Sequence, residues 1–153
     1  MSKAVSDESI VLAEVKLRKI SSMIKLKGRQ ILTNYPITSP QFIALQWIVE
    51  EEEITIGELS KKLGLAFSTT TDLVDRMEKV GLVKREKDKQ DKRVVRLYVL
   101  DKGKEIIKEV IQQRQQYLGE VLQSFTDEQT DQLIELLTKL YNQMEQIEVK
   151  QQH

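Results

Sequence analysis

Cysteine is absent from this chain of 153 residues, which excludes disulfides, thiolate metal sites and thiol-based redox sensing by the chain itself. Histidine occurs once, as His153. No glycine-rich phosphate loop or metal-spaced carboxylate set accompanies it, so the equipment of an enzyme or a metal-dependent protein is missing and no cofactor is expected. No apolar run is long enough to span a membrane, and Met1–Ser9 lacks the apolar block of a secretory signal; a cytoplasmic address is the default expectation. An excess of one charge is also lacking: 24 Lys and Arg stand against 24 Asp and Glu, with a pI near 6.6, so global charge carries no argument about nucleic acid. What is present, 40% hydrophobic and 31% charged residues, is ordinary material for one globular core with extensions.

The apolar spacing supplies the organisation. Leu59, Leu63 and Leu65 recur at helical intervals around Gly64, and Leu73, Val74 and Met77 resume the pattern beyond it, which predicts two helices sharing one small core across a sharp glycine turn. Thr55 with Glu58 reads as a capping box for the first of these helices, and Gly81 as the stop for the second, which runs from about Phe67 to Val80. After Gly81, Leu82–Lys87 and Val94–Leu100 are β-rich runs around the charged tip DKQDKR, a hairpin. Helix, turn, helix and hairpin in that order form a winged helix-turn-helix, with the second helix as the recognition candidate. From Lys84 to Arg96 seven cations (Lys84, Arg85, Lys87, Lys89, Lys92, Arg93, Arg96) outnumber Glu86, Asp88 and Asp91, a local charge of +4. The compensating acids lie at Glu50–Glu53 and near the C-terminus, so one face is expected to turn toward DNA.

Both flanks are helical. Ile10, Ala13, Leu17, Ile20, Ile24 and Ile31 follow three-four spacing near the N-terminus. Ile107, Ile111, Leu118, Val121, Leu122 and Phe125 mark a long helix. A capping box at Thr126 and Gln129 then opens another, carrying Leu133, Leu136, Leu137, Leu140, Met144 and Ile147, and the two should meet in a tight hairpin. Thr38-Ser39-Pro40-Gln41 opens a helix with Phe42, Leu45, Trp47, Ile48 and Val49, placed behind the recognition unit. The terminal helices bring more apolar surface than the central unit can cover, and a second copy is the simplest way to bury it. The expected class is mainly α with a small β-wing. Residues 37–100 form the winged helix-turn-helix DNA-binding domain, and residues 1–36 with 101–153 form a helical dimerisation region.

Over essentially its whole length the chain resembles the MarR family of bacterial transcriptional regulators. The resemblance is carried by Thr38-Ser39-Pro40-Gln41-Phe42, by Ile56-Gly57-Glu58-Leu59 with Leu63-Gly64-Leu65, and by Thr69–Thr71 leading into Leu73-Val74-Asp75-Arg76-Met77-Glu78. Its most specific part is Asp91-Lys92-Arg93 followed by Leu100-Asp101-Lys102-Gly103. The resemblance implies a homodimer whose terminal helices interlock and whose winged domains read half-sites of a pseudo-palindromic operator. It also implies a repressor that releases DNA on binding a small, often aromatic, ligand. Three departures fall on the recognition helix: Ala66 stands where a capping serine is usual, Phe67 where a polar residue is, and Asp72 where a cation is common.

Chemistry assigns the candidate DNA contacts. Ser68, Thr69, Thr70 and Thr71 occupy the first turns of the recognition helix, where hydroxyls can bond bases or phosphates and threonine methyls can touch thymine, although such residues also serve simply to cap and pack. Asp72 can accept from a cytosine amino group or be paired internally, and Arg76, one turn on, can pair with it or reach phosphate. Without arginine, asparagine or glutamine in those turns, bidentate base pairs worth ~1–3 kcal/mol each are missing, which moves weight to the wing. There Arg93 can enter a narrow minor groove, with Asp91 orienting it or tying the hairpin. Lys87, Lys89 and Lys92 bind phosphate, and Lys61 and Lys62 are further backbone candidates. Met23, Tyr35, Phe42 and Trp47 mark the family's usual ligand pocket, and their bulk is equally expected of ordinary core. Glu50–Glu53 read as a solvated helix end rather than a cation site. A winged-helix interaction module that has lost DNA binding is the alternative reading.

Overall fold

The structure, a computed structural model, describes residues 4–151. His153 therefore lies outside the described residues, as does the start of the Met1–Ser9 segment. In chain order the elements are α1 (Asp7–Leu32), α2 (Ser39–Glu50), α3 (Ile56–Leu63), α4 (Phe67–Lys79), β1 (Val83–Lys87), β2 (Val95–Val99), α5 (Asp101–Val121), a 3-10 turn (Leu122–Ser124) and α6 (Asp127–Gln151). They fall into two compact units, one running to Arg114 and the other from Gln115 onward.

The helices α2, α3 and α4 begin where the sequence predicts, while α5 starts at Asp101, well before the Ile107 that marked it in the sequence. Thr38 and Gln41 form a reciprocal capping box at α2, the Thr38 hydroxyl accepting from Gln41 N at 3.2 Å and the Gln41 amide oxygen from Thr38 N at 3.1 Å. At α3 only half of the expected Thr55–Glu58 capping box forms: the Thr55 hydroxyl accepts from Glu58 N at 3.1 Å, while the Glu58 carboxylate makes no return bond to Thr55 N. Gly64 ends α3 in the left-handed region at φ 66°, and Gly81 follows α4 at φ 79°, conformations that glycine adopts without penalty. Phe42 and Leu45 of α2, Leu59 of α3, Val74 and Met77 of α4, Leu82, Val83 and Leu97 of the wing and Val110 of α5 are sealed from water. Ile31 and Leu32 of α1 and Ile106 and Ile107 of α5 join this core, so the end of one flanking helix and the start of another pack into it. Leu65 departs from the expected shared core. Beyond the left-handed turn at Gly64 it no longer follows the α3 face, and it is exposed.

β1 and β2 pair antiparallel with Val83 opposite Val99 and Lys87 opposite Val95, each strand slightly shorter than predicted. Arg96 also bridges Thr55, and Leu97 N donates to Ile54 O at 2.9 Å, so the segment before α3 lies along β2. Gly103 lets α5 close on the wing: a Cβ there would stand 2.7 Å from Leu82 O and 2.8 Å from Val99 Cγ1. That close approach gives a packing reason for glycine in the Leu100-Asp101-Lys102-Gly103 pattern.

In the second unit α5 stops at Val121 rather than continuing through Phe125. A single 3-10 turn follows, Phe125 is extended, and Thr126 and Gln129 cap α6 reciprocally at 3.1 and 3.0 Å. No residue of α6 is buried; Ile134, Leu137, Met144 and Ile147 all stand in solvent. Ile10, Leu17, Ile20 and Ile24 of α1 are likewise exposed, burial in that helix being confined to Gly28, Ile31 and Leu32. Among the described residues no helix is long and apolar enough to cross a membrane.

Candidate nucleic-acid interface

The recognition helix starts without a side-chain cap, because Ala66 at its N-cap has no acceptor to offer. Two of its threonines turn their hydroxyls inward instead: Thr70 Oγ1 donates to Ala66 O and Thr71 Oγ1 to Phe67 O, both at 3.0 Å. Thr70 is fully buried, and this corrects its expected place among the DNA-facing residues. The reason is periodicity, since Thr70, Val74 and Met77 share the face that packs on the core. Ser68 and Thr69 are exposed, with hydroxyls that bond no described residue; Thr71 is half-exposed. Asp72 and Arg76 are both exposed, and no ion pair joins them. The neighbouring acid, Asp75, is the one that is paired, with Arg85.

That contact redistributes the wing's charge. Arg85 Nη2 bonds Asp75 and, at 3.4 Å, Thr71 O, while its backbone N–H donates to Glu78 Oε2 at 3.1 Å, fastening β1 to α4. Arg96 Nε donates to Asp88 Oδ1 at 2.8 Å and Nη1 to Glu53 O at 2.9 Å, tying the hairpin to the loop after α2. Lys84 pairs with Glu86 at 2.7 Å. Of the seven cations counted toward phosphate attraction, Lys84, Arg85 and Arg96 are thus engaged within the protein, and Arg93 pairs with Asp91 at the hairpin tip. Lys87, Lys89 and Lys92 are exposed and paired with no described residue.

The hairpin tip is built by two aspartates. Asp88 Oδ2 accepts from the N–H groups of Gln90 and Asp91 at 3.1 and 3.0 Å, an Asx turn. The Arg96 guanidinium foremost, and those N–H groups after it, hold the Asp88 carboxyl below the usual aspartate range. Asp91 accepts from Arg93 Nε and Nη2 at 3.1 and 3.2 Å and from Arg93 N at 3.1 Å, so it both orients the guanidinium and ties the hairpin. The Arg93 bond lowers the Asp91 carboxyl in turn. With the Arg93 side chain 90% exposed, this pair is worth little in water and can be exchanged for phosphate or a groove edge.

Arg85, Arg96, Asp75 and Asp88 are the positioning residues that sequence reading missed. Their only advance signal was the presence of acids on α4 and at the hairpin tip. Lys102 adds another, donating from Nζ to Val80 O at 2.9 Å and so capping the C-terminal end of α4. Of the further backbone candidates, Lys62 pairs with Glu51 at 3.6 Å and lies 5.0 Å from the Trp47 ring centre, while Lys61 is exposed.

The four side chains proposed to line a ligand pocket stand in different surroundings. Phe42 is fully buried under the Arg114 guanidinium, 4.9 Å from its ring centre, and is core. Trp47 is half-buried beneath Lys62, and Met23 is exposed on α1. The half-buried Tyr35 hydroxyl accepts from Gln113 Nε2 at 2.8 Å, and burial together with the nearby Glu109 raises its pKa. Among the described residues no cluster of His, Cys, Asp or Glu is arranged to hold a metal ion.

A short helix pair across a glycine turn, with an exposed second helix beside a cationic hairpin, defines a winged helix-turn-helix DNA-binding unit. Residues 37–95 match the model of the MarR family. The uncharacterized HTH-type transcriptional regulator YsmB of Bacillus subtilis is 52% identical over 137 residues, covering 90% of this chain and 94% of YsmB. A MarR family protein from Bacillus stearothermophilus has a solved structure that superposes with a TM-score of 0.88 at 52% identity, covering 92% of this chain and 99% of that one. Streptococcus pneumoniae FabT, solved in complex with DNA, shares the fold with a TM-score of 0.74 at 20% identity, over 91% and 99% of the two chains. The chain belongs to the MarR family: it is a DNA-binding transcriptional regulator and not an enzyme.

Proposed function

We propose that the chain acts as a cytoplasmic homodimeric repressor, reading the two halves of a pseudo-palindromic operator and releasing it when a small aromatic ligand binds. The observation that carries this reading is the pairing of a complete winged unit with apolar rows on α1 and α6 that this chain leaves in solvent. Residues 37–100 serve as the reader, and residues 1–36 and 101–153 as the dimerising part. Ser68, Thr69, Thr71 and Arg76 of α4 face the major groove, and Asp72 accepts from a cytosine amino group there. Arg93 enters the minor groove with Asp91 steering it, and Lys87, Lys89 and Lys92 hold phosphates. Tyr35, Trp47 and Met23 are the side chains a ligand would meet, because Phe42 is sealed in the core.

Selection of bound duplexes from random DNA by the purified protein tests the reading. The expected product is a motif with a dyad, bound by two copies. Four wing cations from each of two copies give an affinity that falls with salt at a log–log slope of about −7. An exposed Asp72 and the absence of arginine, asparagine or glutamine from the first two turns of α4 favour a second reading, an interaction module without DNA binding. A flat salt response with no selected motif would establish that second reading instead. For the ligand, an aromatic acid should quench Trp47 fluorescence and release DNA over the same concentration range; quenching without release would break the link.

A further inference from the structure

Leu65, Ala66 and Phe67 follow one another at the surface where α4 begins, with Leu65 41% and Phe67 60% exposed. Single exposed apolar side chains are common on folded proteins, but an unbroken run of them is unfavourable unless the surface is used. The core takes none of the three, because the buried face of α4 opens only at Thr70. Phe67 is the first residue of the helix. Since Cα–Cβ bonds tilt toward a helix N-terminus, its ring is carried toward the tip, the part of a recognition helix that meets base edges. Ser68 and Thr69 stand exposed beside it. In the major groove the thymine C5 methyl is the apolar group that base edges offer, and a phenyl ring gains nothing from phosphate.

We propose that Phe67 is a specificity-determining residue that packs on thymine methyl groups in the major groove, so that this chain reads sequence partly by apolar contact. The proposal rests on the DNA-reading role of α4 and names what that helix recognises. It fits a helix whose first two turns hold no arginine, asparagine or glutamine and whose Thr70 hydroxyl is directed inward.

The test uses the full chain and a duplex from the random selection, with thymines replaced one position at a time, in both halves, by deoxyuridine, which removes only the methyl. At one such position parent binding should weaken by about fourfold per methyl. Phe67→Ala should bind the thymine duplex correspondingly worse and become indifferent to the uracil substitution. Phe67→Leu, which keeps an apolar contact, should retain most of the preference. The proposal fails if uracil costs the parent nothing at every position, or costs Phe67→Ala as much as the parent. It fails equally if Phe67→Ala lowers the melting temperature or the mass in solution, since the ring would then be packing on this chain or on a second copy. A parent that selects no sequence at all would instead remove the DNA-reading role itself.

Discussion

The winged core and α6 draw on the same kinds of residue and come to opposite ends. Phe42, Leu45, Leu59, Val74 and Met77 are shut away from water, whereas α6, with an apolar row from Leu133 to Ile147, buries nothing. Helical periodicity specifies a sticky face in both cases. In the winged unit other elements of the same chain converge on that face: two strands, three helices and the neighbouring turns of α1 and α5. An isolated helix draws most of its stability from tertiary packing, so α6 as it stands is an incomplete structure. The difference teaches that the winged unit closes its core with elements of one chain, whereas the apolar row of α6 stays exposed, which is the surface the proposed dimer would use.

The sharpest way to break that comparison is to charge the row. Leu137→Asp with Met144→Asp, one heptad apart on α6, should convert a dimer into a monomer by analytical ultracentrifugation. Operator affinity should fall by on the order of 100-fold, because the second half-site no longer gains from being tethered. A double variant that keeps the dimer mass would show that the exposed row is not what joins two copies.

The complementary change attacks the finished unit. At Gly103 a methyl group meets the Leu82 carbonyl as well as the Val99 and Leu45 side chains, and the backbone cannot swing aside as a side chain can, so Gly103→Ala should cost about 1–3 kcal/mol in urea unfolding and leave the mass in solution unchanged. Unaltered stability would mean that α5 does not bear on the wing as closely as the structure has it.

Legibility in the sequence follows the same division. Caps and glycine stops are local chemistry, and Thr38, Gln41, Thr55, Gly64 and Gly81 were readable because each acts within four residues of itself. The order of winged elements followed from them. The charge assignments were harder, because a formal count treats every cation alike. Arg85 and Arg96 find partners on other elements, Asp75 ten residues back and the carbonyl of Glu53 forty-three residues back, and nothing local announces those pairings. Thr70 was readable after all, since its spacing to Val74 and Met77 places it on the buried face. Its hydroxyl suggested DNA, but its position on the helix decided the matter. Of the pocket residues, Phe42 followed the packing alternative for a similar reason.

A smaller effect separates the groups proposed to meet DNA from those that hold the wing. Arg93→Ala removes an exposed guanidinium whose partner among the described residues is Asp91, so stability should be unchanged while operator affinity falls on the order of tenfold. Equal binding by variant and parent at matched salt would take Arg93 out of recognition and leave the lysines as a purely electrostatic clamp.

The smallest effect concerns Asp88, whose carboxylate organises the tip through Gln90, Asp91 and Arg96. Its carboxyl is lowered first by Arg96 and then by the N–H groups of Asp91 and Gln90, so the native group titrates below the unfolded one. Its contribution is therefore complete above the unfolded aspartate value, near pH 4, and is lost as pH falls through the lower native value. Between pH 6 and 8 the wing should be insensitive to pH. The amide resonances of Gln90 and Asp91, bonded directly to this carboxylate, report the titration by NMR. In the parent their midpoint should lie below that of an unstructured aspartate. Asp88→Asn keeps an oxygen acceptor for the turn but cannot ionise, so the component belonging to Asp88 should vanish from both amides, leaving only what Asp91 adds. A parent midpoint at or above the ordinary value would mean that Arg96 does not hold Asp88 in solution, and the tip would then be organised by the Gln90 and Asp91 N–H groups without the Arg96 guanidinium.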